Sequence, residues 1–261
     1  MAYTLDHVGP ITTTIIDNAL VLNVIAGFDS KDPYSIPTGE KDYSSLIGKE
    51  LKGLTIGIQS FYYQQIEKEI LVEVIKSVKQ FEGLGAGSKT VEIDCLEEIS
   101  AAQAITIQAE AAAVHVDTIQ QHKGAIDEEV YQRLLASREV NGYEYVVAQR
   151  KRKQLVNQFN LVFQDVDILV TPTLPILPTI IGQREVEING EKETVRHALL
   201  RLTSPTNYTG NPSLTMPCGF SKNGLPIGIQ LIAKHGNEEI LYQFGYALEQ
   251  SMKRKKTEEQ L

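Results

Sequence analysis

The fold class of this chain is indicated most clearly by residues 207–232, NYTGNPSLTMPCGFSKNGLPIGIQLI. Two apolar runs within it, Leu214–Pro217 and Ile227–Ile232, have the length and composition of buried strands. The turn-forming sequence Lys222-Asn223-Gly224 separates them. The stretch therefore predicts two strands of one sheet, and segments upstream supply the others.

A strand–helix–strand unit lies earlier in the chain. Leu54–Ile58 reads as a strand, and the helix that follows, about Ile66–Phe81, carries apolar residues at i, i+3, i+4 and i+7. Thr90–Ile93 is the next predicted strand. This order is typical of a parallel β-α-β unit with a right-handed crossover, so the predicted fold class is α/β.

The remaining elements are mostly helical. Three threonines, Thr12, Thr13 and Thr14, offer N-cap hydroxyls to a helix that runs to about Ala26. Its apolar residues cover more than one face, which predicts that this helix is well buried. Five further elements are predicted: a helix at Ser100–His115, a long helical region at Asp127–Phe163 broken at Asn141-Gly142, a strand at Asp167–Val170, an exposed hairpin at Val186–Val195, and a last helix at Glu238–Met252.

Composition excludes several classes of protein. The 261 residues are 42% hydrophobic and 22% charged, with a net charge of −8, so the chain is globular and its surface is a poor match for nucleic acid or an anionic membrane. Two cysteines, Cys95 and Cys218, are too few for a disulfide framework. No apolar run is long enough to span a bilayer, and the first residues lack a secretory signal. We therefore expect a cytoplasmic protein.

A glycine-rich segment, Gly83–Thr90, resembles a phosphate-binding loop but lacks its essential features. Ser88 stands where a glycine should precede Lys89, and the segment follows a helix instead of preceding one. We interpret it as a helix-to-strand turn.

Other reactive side chains predict no site of their own. The five histidines form no metal-binding pair with a carboxylate or cysteine cluster, so no metal and no cofactor are expected. Cys218 has no nearby histidine and reads as a buried structural thiol. The basic run Arg150–Lys153 spreads around a helix and is interpreted as a solvated face.

A polar segment, Thr203–Ser213, precedes the first strand of residues 207–232. It carries hydroxyl and amide side chains between prolines and glycines, and we interpret it as a rigid loop. Two readings stay open at this point. Such a loop at the edge of a strand can hold a polar substrate, or it can satisfy its own backbone.

Three segments, in order and with matching spacing, resemble the amidase signature family. The third is the most specific, because the family pattern runs Asn-x-x-Gly-x-Pro, a short strand, Pro-x-Gly, and then Gly-Leu-Pro-x-Gly-x-Gln. Together the three cover nearly the whole chain. The first is YTLDHVGPIT at residues 3–12 with DNALVLNVIAG at residues 17–27 and Asp32-Pro33, the second is DVDILVTPT at residues 165–173, and the third is residues 207–232.

The resemblance implies a partial amidase-signature α/β/α fold around a mixed β-sheet, with residues 1–261 forming one domain. Family members hydrolyse carboxylic amides with a serine nucleophile, a bridging serine in cis conformation and a lysine base. In the family these residues lie upstream of the segment that begins here at Leu5. The resemblance therefore implies a carboxyl-terminal portion without the catalytic residues, and no catalytic residue is assigned to this chain.

Four residues are candidates for touching substrate by this resemblance. Thr206 and Asn207 are the first, and Asp6 is weaker because it also fits a local turn or cap. Arg138 would suit a carboxylate group, with a salt bridge on a helix surface as its simpler interpretation.

The family has two branches that fit. In the glutamine-dependent tRNA amidotransferase, the A subunit carries a Met-Tyr-Leu-x-Asp stretch where this chain has residues 196–203, RHALLRLT, so a stand-alone amidase is favoured. The expected partners are a small amide substrate once the missing portion is supplied, and self-association or a separate amino-terminal chain. A non-catalytic assembly partner and a degenerate gene product remain alternatives.

Overall fold

The computed structural model describes residues 2–37, 39–94, 96–121, 124 and 126–258, with side chains up to residue 253. The helices are α1 (Ile15–Ile25), α2 (Lys68–Gly83), α3 (Ile99–Val114), α4 (Val116–Gln121), α5 (Glu128–Ala136), α6 (Gly142–Val162), α7 (Val195–Arg201), α8 (Ser204–Thr209) and α9 (Glu238–Glu258). The strands are β1 (Thr55–Ile58), β2 (Gly87–Thr90), β3 (Ile168–Pro172), β4 (Glu185–Ile188), β5 (Glu191–Thr194), β6 (Ser213–Phe220) and β7 (Pro226–Ala233).

Five strands form one mixed sheet in the order β2-β1-β3-β7-β6. The pairs β1–β2 and β1–β3 are parallel, whereas β3–β7 and β6–β7 are antiparallel. The parallel β1-α2-β2 unit is the one that the sequence predicts. Every residue of the central strand β3 is buried, and α2 and α9 both pack on β6 and β7. The predicted α/β class with a mixed sheet is confirmed.

The second strand of the β-α-β unit lies earlier than predicted. β2 occupies Gly87–Thr90 instead of Thr90–Ile93, and Thr55 pairs with Gly87. All four β2 residues are exposed at the sheet edge, so its backbone pairing and not its hydrophobicity defines the strand. The apolar residues that suggested the later position, Val91 and Ile93, are buried just beyond the strand end.

Two predicted local features are confirmed. The hairpin of β4 and β5 turns at Asn189 and Gly190, whose φ angles of 52° and 88° suit the tight turn expected of an Asn-Gly pair. The long helical region is broken at Asn141, which begins α6 with a reciprocal capping box to Glu144.

The prediction that the first helix is well buried is wrong. Only Ile15 and Ala19 of α1 are buried, and α1 packs on α9 with that side. The opposite side of the helix is open to solvent, with Val24 83% exposed. The residues of α1 form two apolar faces, and the described residues cover only one. No helix in the described part of the chain is long and apolar enough to cross a membrane.

Cys218 is a buried thiol in β6, as the sequence predicts. Its side chain is buried and forms no disulfide, and burial raises its pKa from 9.0 to about 12. The protonated thiol is therefore the stable form in the folded chain across the neutral range.

This burial predicts how Cys218 reacts. Alkylation by iodoacetamide at pH 8, followed by peptide mass spectrometry at Cys218, should be slow in buffer and fast in urea. Because the folded pKa lies above the unfolded one, the contribution of this thiol to stability is complete below pH 9 and is lost as pH rises towards 12. Alkylation in buffer as fast as in urea would contradict the burial of this side chain.

Candidate functional site

The polar segment at residues 203–213 contains a helix where the sequence predicted a loop. Pro205 lies in the first turn of α8, and Gly210 ends the helix in the left-handed conformation with φ of 82°. The amide of Gly210 donates to the carbonyl of Thr206 at 2.8 Å. Proline at the start and glycine just past the end are ordinary helix signals, and the six residues between them are too few to show apolar periodicity.

Gly210 should be sensitive to substitution. A Gly210→Ala change puts a β-carbon in the left-handed region, 3.5 Å from His235 Nε2, and should cost about 1–2 kcal/mol in urea unfolding. The matched control is Gly142→Ala, where an added β-carbon meets nothing within 4 Å and φ is not positive. Equal stability of the two variants would contradict the cap.

The threonine hydroxyls of α8 are turned into the protein. Thr206 Oγ1 donates to the Thr203 carbonyl at 2.9 Å, and Thr209 Oγ1 donates to the Pro205 carbonyl at 2.9 Å. Both side chains are buried. Both hydroxyls donate to carbonyls within or next to the same helix. The hydroxyl proton of the candidate residue Thr206 is therefore engaged in a local hydrogen bond and is not free to bind a substrate.

Asn207, the second candidate, links α8 to the first residues of the chain. Its Nδ2 donates to the Leu5 carbonyl, and its Oδ1 accepts a 2.8 Å hydrogen bond from Gln103 of α3. His7 Nδ1 also contacts the Leu5 carbonyl at 2.7 Å. The amide of Asn207 thus fixes the main chain immediately before Asp6.

Thr4 is held by a buried carboxylate. The Thr4 amide and hydroxyl donate to the two oxygens of Glu110 at 3.0 and 2.7 Å. Tyr145 of α6 donates its hydroxyl to Glu110 at 3.0 Å, and its pKa is raised to about 12 by burial first and then by that carboxylate. Glu110 is only 8% exposed, and these three hydrogen bonds compensate for the hydration that its carboxylate loses on burial.

Arg152 completes this arrangement from α6. Its Nη2 donates to the Thr4 carbonyl and its Nε to the Tyr208 carbonyl at 2.7 Å, while its guanidinium lies 5.6 Å from the centre of the Tyr208 ring. Burial lowers the pKa of Arg152, and the Tyr208 and Glu110 side chains oppose that change. The interpretation of Arg150–Lys153 as a fully solvated face is therefore wrong at Arg152.

The other two candidates have free charges. Asp6 is exposed, and its carboxylate has no hydrogen-bond or ion-pair partner among the described residues. Arg138 is exposed in a short 3-10 turn after α5, and within the same described ranges its guanidinium has no partner, so the expected salt bridge is not formed. The structure brings Asn207 to the Leu5–Asp6 segment but joins Arg138 to none of the other candidates.

No activating base lies beside the serines of this region within the described residues. Ser204 is buried at the start of α8, and Ser213 is exposed at the start of β6. Neither hydroxyl has a hydrogen-bond partner in the part of the chain that the structure describes. A serine nucleophile needs a base within hydrogen-bond reach, and this arrangement supplies none.

A separate cleft of about 280 Å³ opens beside the β4–β5 hairpin. Glu193 lies between His197, whose Nδ1 is 2.6 Å from its carboxylate, and Arg201 at 3.8 Å. Arg201 also donates to the carbonyls of Gln64 and Gln65, and burial lowers its pKa. No serine, threonine or cysteine is among the described residues that line this cleft, so it holds charged side chains but no hydroxyl or thiol nucleophile.

Sequence reasoning missed the residues that hold the first segment. Gln103, Glu110 and Arg152 lie on helices α3 and α6, far along the chain from Thr4. A lone carboxylate in the alanine-rich sequence of α3 is the one available signal for Glu110. The described residues contain no group of three or more His, Cys, Asp and Glu side chains placed to hold a metal, and His122 lies outside them.

Comparison with known proteins finds similarity to amidases and to amidotransferase A subunits. Residues 1–242 match the Amidase family. The chain is 34% identical over 228 residues to an amidase of Pseudomonas putida, covering 86% of this chain and 49% of that protein. It is 30% identical to the A subunit of the glutamyl-tRNA(Gln) amidotransferase of Halothermothrix orenii, covering 97% of this chain and 57% of the relative.

Solved structures that align with this chain support the same family relationship. A protein from a study of a vestigial complex and the origins of an s-triazine catabolic enzyme aligns with a TM-score of 0.88 and 26% identity, over 96% of this chain and 54% of its own. A bacterial aryl acylamidase of the amidase signature family aligns with a TM-score of 0.80 and 26% identity, over 93% and 52%. The chain spans about half the length of these relatives. On sequence and structure together, it belongs to the amidase family.

Proposed function

We propose that this chain supplies the scaffold and pocket-wall portion of an amide-hydrolysing enzyme whose nucleophile and base lie on another portion of the domain. The observation that carries the proposal is the family match over residues 1–242, in a chain about half as long as its relatives. The solitary hydroxyls of Ser204 and Ser213 support it, because amide cleavage needs a nucleophile beside a base and donors for the oxyanion.

The contacts of the described residues suggest a division of roles. Asn207, Glu110 and Arg152 are positioning residues, since they fix the main chain of Thr4 and Leu5 through charge-assisted or amide hydrogen bonds. Asp6 follows directly and keeps its carboxylate free, so it is available to a polar substrate or to the other portion. Thr206 supports α8 from within, and Arg138 offers an unpaired cation for a carboxylate group.

Ammonia release measures the proposal directly. The purified chain should release no ammonia from acetamide, benzamide or glutamine above a buffer blank. The variants Ser204→Ala and Ser213→Ala should behave as the parent chain does. Turnover by the parent chain that either substitution abolishes would overturn the proposal.

A second candidate is a portion of the A subunit of a glutamine-dependent tRNA amidotransferase. The 30% identity to the Halothermothrix orenii relative over 97% of this chain supports it. The sequence of residues 196–203 argues for a general amidase instead. A complemented enzyme that prefers glutamine over benzamide would favour the amidotransferase, and the reverse preference would favour the amidase.

A further inference from the structure

Helix α1 has an apolar face that no described residue covers. Five residues on its outer side are 39–83% exposed: Ile16, Leu20, Val21, Val24 and Ile25. The inner side, Ile15 and Ala19, packs on α9. A helix that is apolar on both sides is normally buried on both sides, so α1 carries a second contact face.

The segment before α1 extends this face. Val8 is 93% exposed and Ile11 is fully exposed. The amide groups of Val8, Ile11 and Thr12 donate to no partner within the described residues. Exposed β-branched side chains beside unpaired amides are the features by which one chain adds a strand to another.

We name these residues together the α1 surface: Val8, Ile11, Ile16, Leu20, Val21, Val24 and Ile25. The only charged side chain of helix α1 is Asp17, whose carboxylate accepts a hydrogen bond from the Thr14 hydroxyl at the helix cap. The exposed apolar residues of α6 differ, since Tyr143 and Val146 stand among Glu144, Arg150 and Lys153. The α1 surface is therefore suited to an apolar protein partner, and the α6 face to water.

We propose that the α1 surface is the seat of the remaining portion of an amidase domain, an inference that rests on the proposed function. The family match includes residues 8–25, so this surface is part of the shared architecture. The structure with a TM-score of 0.88 is matched over 54% of its length, which leaves 46% (100 minus 54) outside this chain. The α1 surface offers a polypeptide of that size both an apolar helix face and main-chain amides without a partner among the described residues.

Co-purification tests this seat. The chain, carrying an affinity tag, is co-expressed with the part of the Pseudomonas putida amidase that it does not match. The parent chain should retain that polypeptide in a 1:1 complex. The double variant Leu20→Asp/Val24→Asp should retain at least about tenfold less, because two buried carboxylates would be unpaired in the complex.

The matched control is Tyr143→Asp/Val146→Asp, at exposed positions of α6. It should bind as the parent does, and circular dichroism should show that both double variants are folded. Failure of the parent to retain the polypeptide, or equal retention by the α1 variant, would overturn the proposal. The proposal would also be overturned if the parent chain formed a dimer that the Leu20→Asp/Val24→Asp change disrupts and that the amidase portion does not displace.

The outcomes for the seat and for the proposed function are separate. A 1:1 complex that releases no ammonia from amides would support the seat and contradict the amide-hydrolysing function. Hydrolysis by a complex that the Leu20→Asp/Val24→Asp change leaves intact would support the function and overturn the seat.

Discussion

The Phe244→Ala variant should be about 3–5 kcal/mol less stable than the parent chain in urea unfolding. Phe244 lies on α9 and is fully buried, and its ring meets Phe81 of α2 edge to face, with centroids 5.4 Å apart. Removing the ring leaves a cavity between two helices that both pack on β6 and β7. Collapse of this cavity is limited because the surrounding sheet is rigid.

The control for this variant is Phe220→Ala, since Phe220 is 63% exposed on β6. It should change the free energy of unfolding by no more than about 0.5 kcal/mol. The double variant Phe81→Ala/Phe244→Ala should show a coupling of about 0.5–1.5 kcal/mol between the rings. A cost below about 1 kcal/mol for Phe244→Ala would contradict the packing of α9 on α2.

The Arg152→Met variant should lose about 2–4 kcal/mol, because each hydrogen bond from a charged donor contributes about 1.5–3 kcal/mol. The change leaves the carbonyls of Thr4 and Tyr208 without this donor and removes the positive charge close to Glu110. Hydrogen exchange at residues 2–7 should become faster than in the parent, while the sheet strands keep their protection.

Arg150→Met is the matched control, because Arg150 is exposed on the same helix. It should leave both stability and exchange at residues 2–7 unchanged. Faster exchange in both variants, or in neither, would contradict the assignment of Arg152 as a positioning residue for the Thr4–Leu5 segment.

Local patterns in the sequence were sufficient for much of the fold. The apolar stripe of α2, the Asn189-Gly190 turn and the Asn141 cap each depend on residues a few positions apart. Such signals act within one element, so the β-α-β unit, the hairpin and the helix break are correctly predicted. Strand β2 was predicted at the wrong position because its pairing with β1, and not its own composition, sets where it begins and ends.

Features that depend on distant contacts were not accessible in this way. The burial of α1 is set by what packs on its outer face, and its sequence cannot reveal that this face is open among the described residues. Arg152 resembles its basic neighbours in sequence, yet it turns inward because carbonyls from Thr4 and Tyr208 meet it there. Asn207 was selected by resemblance to a family, and its contact with Leu5 emerges only in three dimensions.

We propose that this chain needs another portion of an amidase domain before it takes part in amide hydrolysis. The most direct measurement is ammonia release from benzamide by three samples: the chain alone, the unmatched portion of the Pseudomonas putida amidase alone, and the two co-expressed. We expect release by the co-expressed sample and none by either polypeptide separately. Release by this chain alone, lost on Ser204→Ala or Ser213→Ala, would contradict it.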